Sequence, residues 1–516
     1  VSRGTVAAGH PETAAAGVWA LREGGNAVDA AIAAVCASLS AESPLTGLGA
    51  GGYMLVHEPG ELGVLLDFFV AAPGWDDRER RSELVPVEVD FGGTTQIFNV
   101  GAASCGVPGT PAGLAEACRL FGSMPLSELV RPGVRLAREG VQISQQQGYI
   151  VSILAPVLTH QAEGAAIYAP EGSLLREGAI FQAPELAESL ELLGEEGEEP
   201  FYGGEIGDRI CAWVEDLGGQ LAREDLLAYR PIARDPVQVH FSGHEILTNP
   251  PPSSGGLLIA FALAVLERLE RVDVETVIMV MEQAQAARTP DFLAGLYTED
   301  FAAAFLTEDA VAAAERRCRA AGRPAAGAGP GDALGSTTHI TAVDSEGRCA
   351  SVTCSNGTGS GLFVPGTGIH VNNMLGEQDL NPFGYHTTAP GRRMPSMMSP
   401  TVVLSDGELE AGLGSGGSNR IRSAIVQTIL RLVSDRMPAQ AAVEAPRAHV
   451  EDGVVHAEPG IDEAALDRLG ARGYEVVRWR TESLFFGGVH TVARDPGTGV
   501  LAGGGDLRRG GAVATT

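Results

Sequence analysis

The stretch Thr337-Thr338-His339-Ile340-Thr341-Ala342-Val343-Asp344-Ser345-Glu346-Gly347-Arg348-Cys349-Ala350-Ser351-Val352-Thr353-Cys354-Ser355-Asn356 decides how this chain is read. Apolar and hydroxyl residues alternate on both sides of Ser345-Glu346-Gly347, which predicts two strands, 337–344 and 348–355, joined by a tight turn. If Asp344 faces Arg348, Thr337 falls opposite Ser355, give or take one residue for a bulge. A hydroxyl and the Asn356 amide then arrive beside Thr337. A Thr hydroxyl is a poor nucleophile until a base sits next to it. Cutting the chain between Ser336 and Thr337 would supply one, because the freed α-amine of Thr337 can accept the hydroxyl proton. Two threonines opening an ordinary strand is the plainer reading of the same residues, and the neighbourhood has to separate the two.

Upstream, Ala321 to Ser336 is dominated by Ala, Gly and Pro, so a flexible linker is expected at 321–336. Before it the chain reads as helix-rich. A short strand leads into a helix from Glu12 to about Glu23, stopped by Gly24-Gly25-Asn26, and a second helix runs from Val28 to about Leu39. A strand Tyr53–Val56 follows a glycine cluster. Residues 110–235 look mainly helical, 236–248 alternate as one strand, and Pro250-Pro251-Pro252-Ser253-Ser254-Gly255-Gly256 breaks the chain ahead of a helix over 257–270. Helical pattern continues to about Ala320. After the hairpin, strands are expected at 369–372, 400–404 and 408–413. The division is therefore 1–336, helix-rich, and 337–516, strand-rich and carrying the nucleophile.

Composition narrows the chemistry. The 516 residues are 44% hydrophobic and 20% charged, enough for a large core. A net charge of −29 argues against nucleic acid and anionic membranes as partners. All 36 basic residues are arginine, which removes Schiff-base, phosphate-loop and pyridoxal lysines. Seven scattered cysteines without a C-x-x-C pair give neither a disulfide framework nor a zinc site. The longest apolar run, Leu257 to Leu266, is too short to span a bilayer. Free cysteines and no visible signal peptide favour the cytoplasm, with secretion left open if a segment ahead of Val1 has been removed.

Further motifs surround the hairpin. Gly412-Leu413-Gly414-Ser415-Gly416-Gly417-Ser418-Asn419-Arg420 follows a strand and precedes an amphipathic helix to about Val433. Backbone N–H groups at such a turn can hold developing negative charge. The same glycines also fit a dinucleotide fingerprint, but Asp435 lies just past the helix without the second strand such a site needs. Arg392-Arg393-Met394-Pro395-Ser396-Met397-Met398-Ser399-Pro400 mixes basic groups, hydroxyls and Met in a loop, and Glu377, after Asn372-Asn373, can receive an ammonium. His339 is expected to pack or hydrogen-bond beside the site.

Taken together, these segments resemble the γ-glutamyltransferase (glutathione hydrolase) family of N-terminal-nucleophile hydrolases. The resemblance runs nearly end to end. It rests on Arg22-Glu23-Gly24-Gly25-Asn26-Ala27-Val28-Asp29-Ala30-Ala31, Gly106-Val107-Pro108-Gly109-Thr110, the 250–256 stretch, the run from Thr337 to Asp344, Asn372-Asn373, Ser399-Pro400-Thr401 and the glycine loop, all in order. It implies an α/β (α+β) four-layer αββα sandwich whose precursor cuts itself before the catalytic Thr into two subunits that stay one folded unit. By position Thr337 is then the nucleophile and Ser355 its supporting hydroxyl. Gly417 and Ser418 fall where two glycines form the oxyanion hole. Asn356 and Glu377 match residues binding the amino end of a glutamyl group, and Ser396 one contacting its carboxylate. The substrates implied are a small amide or peptide donor and an amine or water acceptor, with no metal or organic cofactor.

Two departures bear on specificity. Glutamyl-specific members carry an arginine for the substrate α-carboxylate in the segment matching Asp67-Phe68-Phe69-Val70-Ala71-Ala72-Pro73, and here that place is Phe69. The second serine of a Ser-Ser pair is Met397. Unless Arg392 or Arg393 takes over, a more apolar acyl pocket is expected. The loop after Glu377 also looks short, which would admit larger acyl groups. The competing readings are a γ-glutamyl donor, a non-glutamyl apolar acyl donor on the same fold, and an unprocessed binding protein without chemistry. A dinucleotide-dependent oxidoreductase is a distant fourth.

Overall fold

The computed structural model describes residues 4–76, 81–90, 95–269, 272–320 and 336–516. The expected linker 321–336 lies outside the described residues except for Ser336. Thirteen strands build two stacked antiparallel sheets. They are β1 (Gly4–Ala8), β2 (Gly51–His57), β3 (Val64–Phe68), β4 (Ile232–Arg234), β5 (Val237–Phe241), β6 (His244–Thr248), β7 (Thr337–Asp344), β8 (Cys349–Ser355), β9 (Thr401–Ser405), β10 (Glu408–Gly416), β11 (Gly488–Arg494), β12 (Leu501–Gly505) and β13 (Ala512–Thr515). The first sheet has the order β13-β1-β7-β8-β2-β3-β4 and the second β12-β11-β10-β9-β6-β5. In both, strands from before and after Thr337 lie side by side.

Helices cover the outer faces. On the first sheet lie α1 (Pro11–Arg22) and α2 (Ala27–Ala41), and on the second α3 (Ser254–Glu267) and α5 (Arg420–Ile429), with α4 (Val274–Ala286) packed on α3. Alternation along the strands assigns the faces. Val6, Ala8, Ile340 and Val352 join the core under α1 and α2, whereas Ala7, Val343, Cys349 and Leu413 join the core that runs between the sheets to α3 and α5. This is the expected αββα sandwich.

The early helix motif has a structural explanation. Asn26 caps α2: its Oδ1 accepts from the Val28 and Asp29 N–H groups at 2.8 and 3.0 Å, and the Asp29 carboxylate accepts from the Asn26 N–H at 2.8 Å. All of α2 is buried. Asp344, at the end of β7, joins this helix to the hairpin. Its carboxylate accepts from Ala27 N–H at 3.1 Å and, at the turn, from Glu346 and Arg348 N–H at 3.0 and 3.1 Å. The start of α2 and the far end of β7 are thus held by one side chain.

Two expectations need correcting. Residues 236–248 form a hairpin, β5 and β6, because Ser242 and Gly243 adopt φ of 51° and 78° and reverse the chain. The first glycines of the 412–420 segment are strand rather than loop. Gly412, Gly414 and Gly416 alternate along β10 toward the other sheet. A Cβ there would sit 2.4 Å from Cys349 Sγ, 2.3 Å from His339 Cε1 and 2.4 Å from the Thr337 carbonyl oxygen, respectively. Their period of two serves close sheet-on-sheet approach, which accounts for glycines that also fit a nucleotide motif.

Candidate active site

The hairpin has the register read from the sequence: Thr337 faces Ser355 and Val343 faces Cys349. The peptide runs on from Ser336 into Thr337, so the geometry is that of the uncut chain. Thr337 Oγ1 donates to Ser355 Oγ at 3.2 Å, Ser355 Oγ donates to the Ser336 carbonyl at 2.7 Å, and Gly357 N–H donates to Ser355 Oγ at 3.1 Å. A hydroxyl has one donor and two acceptor positions, and all three of Ser355's are used. One side chain therefore touches both the Thr337 hydroxyl and the carbonyl of the bond before Thr337.

Support continues behind Thr337. Thr338 Oγ1 donates to Glu42 Oε2 at 2.5 Å and Thr13 Oγ1 to Glu42 Oε1 at 2.8 Å. Burial lifts the Glu42 carboxyl to about 7, against the pull of those two hydroxyls. Arg509 donates to the Thr337 carbonyl at 3.3 Å. The His339 ring bonds Thr353 and Thr341 hydroxyls at 2.8 and 2.9 Å, and burial holds it well below its ordinary pKa, hence neutral. It packs and hydrogen-bonds beside the site, as expected.

Thr337 opens into a small cavity of about 50 Å³. Phe69, Met374, Leu380, Met397, Met398 and Ile421 give it apolar walls; its polar walls include Ser355, Glu377, Asp379, Ser396 and Ser418. Phe69 is fixed by stacking on Tyr53 at a 5.3 Å centroid separation. Among the described residues no arginine lines the cavity. Arg393 is turned to Asp67, 3.3 Å away, and over the Tyr229 ring, while Arg392 lies over Tyr297. The Ser396 hydroxyl accepts from Met398 N–H at 3.0 Å, and its carbonyl accepts from Ser254 N–H at 2.8 Å. The Pro-Pro-Ser-Ser-Gly-Gly stretch thus props up this wall from behind.

Burial raises the Glu377 carboxyl to about 7 and that of Asp379 to about 6. Glu377 accepts from Thr358 N–H at 3.2 Å. Asn356 does not bring its side chain into the cavity. Its Nδ2 points to the His370 carbonyl at 3.4 Å, and its main chain is held by Leu45 O and Asn373 N–H. Gly357, the next residue, lines the cavity instead. Asn373 keeps Gly357 in place: a Cβ there would lie 2.1 Å from Asn373 Oδ1.

On the far side, β10 ends at Gly416 and the chain turns through Gly417 (φ 128°) and Ser418 (φ 50°) into α5. Ser418 lines the cavity; Gly417 is not among its lining residues. Among the described residues neither the Gly417 nor the Ser418 N–H has an acceptor. Left-handed backbone costs a non-glycine residue about 1–2 kcal/mol. Sequence reasoning passed over Asp379, whose Oδ2 accepts from the Ser418 hydroxyl at 3.1 Å. It also passed over Gly357 and Met374. No local pattern marks these residues, since the fold brings them together from separate loops.

A four-layer αββα sandwich with a buried threonine opening an inner strand defines the N-terminal-nucleophile class of hydrolases. Within it, the chain belongs to the gamma-glutamyltranspeptidase family, whose profile matches residues 13–516. It is 33% identical over 517 residues to the acylase ACY 1 proenzyme of Pseudomonas sp. (strain V22), covering 97% of this chain and 91% of that one. It is 30% identical over 546 residues to the glutathione hydrolase proenzyme of Bacillus subtilis (strain 168), covering 99% and 91%. Among solved structures, the cephalosporin acylase from Bacillus halodurans superposes with a TM-score of 0.84 at 26% identity, covering 99% of this chain and 96% of that one. The protein is an enzyme of this family, and the relatives include both glutathione hydrolases and acylases.

Proposed function

We propose that this enzyme cuts itself before Thr337 and then hydrolyses, or transfers to amines, an acyl group that lacks the α-carboxylate of a γ-glutamyl donor. In the first step Thr337 Oγ1 attacks the Ser336 carbonyl carbon. The peptide C–N bond breaks, an ester forms, and the α-amine of Thr337 is released. Water then cleaves the ester and leaves a carboxylate on Ser336. Ser355, already donating to the Ser336 carbonyl at 2.7 Å, is placed to stabilise the oxygen as it gains charge.

In the mature enzyme the Thr337 amine takes the hydroxyl proton as Oγ1 attacks a substrate amide. The Gly417 and Ser418 N–H groups serve as oxyanion donors. The proton passes to the departing amine, and water or another amine takes the acyl group from Thr337. Ser396, whose hydroxyl accepts from Met398 N–H at 3.0 Å, is assigned to the wall that meets the acyl chain.

The observation that carries the specificity is the wall of Phe69, Met374 and Met397 without an arginine. A carboxylate placed there would be buried without a partner, a situation that costs several kcal/mol. Relatives named acylases, beside those named glutathione hydrolases, leave room for a donor other than γ-glutamyl. A γ-glutamyl donor is the second reading, favoured by Glu377, which lines the cavity and can receive an ammonium. Four anilides separate them: γ-glutamyl, glutaryl (amine removed), 4-aminobutyryl (carboxylate removed) and butyryl (both removed). The carboxylate-free pair should exceed its carboxylate-bearing partners in kcat/KM by tenfold or more, about the worth of a hydrogen bond to a charged group. A γ-glutamyl substrate winning by that margin would overturn the proposal.

A further inference from the structure

The oxyanion turn carries a side chain where its backbone is best suited to glycine. Ser418 has φ of 50°, and Gly417 before it, at 128°, constrains the chain little. A serine in that shape needs something outside the turn to hold it. The Ser418 hydroxyl donates to Asp379 Oδ2 at 3.1 Å, from a segment 39 residues away in sequence.

Asp379 is itself fixed. It is buried, its main-chain carbonyl accepts from Arg288 Nη2 at 2.9 Å, and its turn is stapled by Asn381, whose Nδ2 donates to the Met374 and Glu377 carbonyls at 3.1 and 2.8 Å. Asp379 and Ser418 both line the cavity that Thr337 opens into. The turn behind the substrate-facing loop and the turn at the start of α5 are thereby joined across the site.

We infer that Asp379 is a positioning residue for the oxyanion turn, acting through the Ser418 hydroxyl. This rests on the reading of the Gly417 and Ser418 N–H groups as oxyanion donors. A misplaced donor lowers the rate of acyl transfer more than it lowers substrate binding, because the charge it meets exists only in the transition state. The hydroxyl–carboxylate bond therefore bears on kcat.

The test is a cycle of Asp379→Ala, Ser418→Ala and the double variant, with Asp379→Asn and Ser418→Gly alongside. It uses whichever of the four anilides the enzyme turns over fastest, and intact mass reports cleavage before Thr337 in every variant. Each single alanine variant should lower kcat about tenfold to hundredfold with KM within about threefold. The double variant should be no worse than either. Asp379→Asn, which keeps an acceptor, should stay within about threefold of wild type, and Asp379→Ala should have little further effect once Ser418 is glycine. Multiplying effects, an unchanged kcat in both alanine variants, or a change confined to KM would overturn the assignment. A wild-type chain that is neither cut nor active would instead remove the functional reading on which it rests.

Discussion

The two sides of the Thr337 cavity are built differently. The Thr337 side is strand on strand: Thr337 and Ser355 face each other in a ladder, Ser355 uses all its hydrogen-bonding positions, and from behind Glu42 holds the Thr338 hydroxyl and Arg509 the Thr337 carbonyl. The acyl side is assembled from loops. Phe69 comes from just past the end of β3, Met397 and Met398 from an irregular segment, and Glu377 and Asp379 from a turn. Strand-borne groups are held more tightly than loop-borne ones, which suits chemistry on the first side and changes of substrate on the second.

The largest effect should come from the rigid side. Thr337→Ala leaves no hydroxyl to attack Ser336 or a donor. It should give a single uncut chain by mass and a loss of amidase activity of about a thousandfold or more. A Thr337→Ala chain that is still cut at this bond would dissolve the distinction between the two sides. Next is the loop side. Phe69→Arg with Met397→Ser should raise the γ-glutamyl to butyryl ratio of kcat/KM by about tenfold to hundredfold, by offering a carboxylate its partner. Failure to shift that ratio would mean that specificity lies elsewhere. Ser355→Ala should slow cleavage before Thr337 by about tenfold, the worth of one hydrogen bond to a developing charge, and Ser355→Thr should restore most of it. Intact mass followed over time reads both.

The smallest effect concerns pH. Burial lifts Glu377 to about 7, so its carboxyl is neutral below that value and charged above it. A butyryl donor meets a growing unpaired charge as pH rises, so its kcat/KM in the wild type, divided by that in Glu377→Gln, should fall about threefold through pH 7. The comparison cancels the rise that deprotonation of the Thr337 amine imposes on every donor. A 4-aminobutyryl donor should show the opposite trend, its ammonium gaining a partner as Glu377 ionises.

The rigid side was largely legible in the sequence, because period-two alternation and a short turn fix a hairpin's register and hence the partner of Thr337. The start of α2 near Val28 was also legible, but in sequence the Asn26 cap that sets it reads as part of the stop of the helix before it. The loop side was not. Asn356 follows Ser355 directly, yet it turns to His370 and leaves the cavity to Gly357, since the chain leaves the ladder at that point. Asp379 gave no signal, because its partner Ser418 lies far along the chain. Residues 236–248 read as one strand because a positive-φ serine ahead of Gly243 hid the turn.

The strand order has a consequence for the cleavage proposed before Thr337. In the first sheet β13 and β7 flank β1 and β8 lies against β2, so strands from before and after Thr337 are interleaved edge to edge. The precursor folds as one molecule, at a rate independent of concentration. Once the bond before Thr337 is broken, regaining the same sheet from unfolded pieces becomes an encounter between two molecules, slower as the solution is diluted. Cleavage thus changes the molecularity of refolding, and a denatured mature enzyme should recover less completely than its uncut Thr337→Ala counterpart under the same dilution.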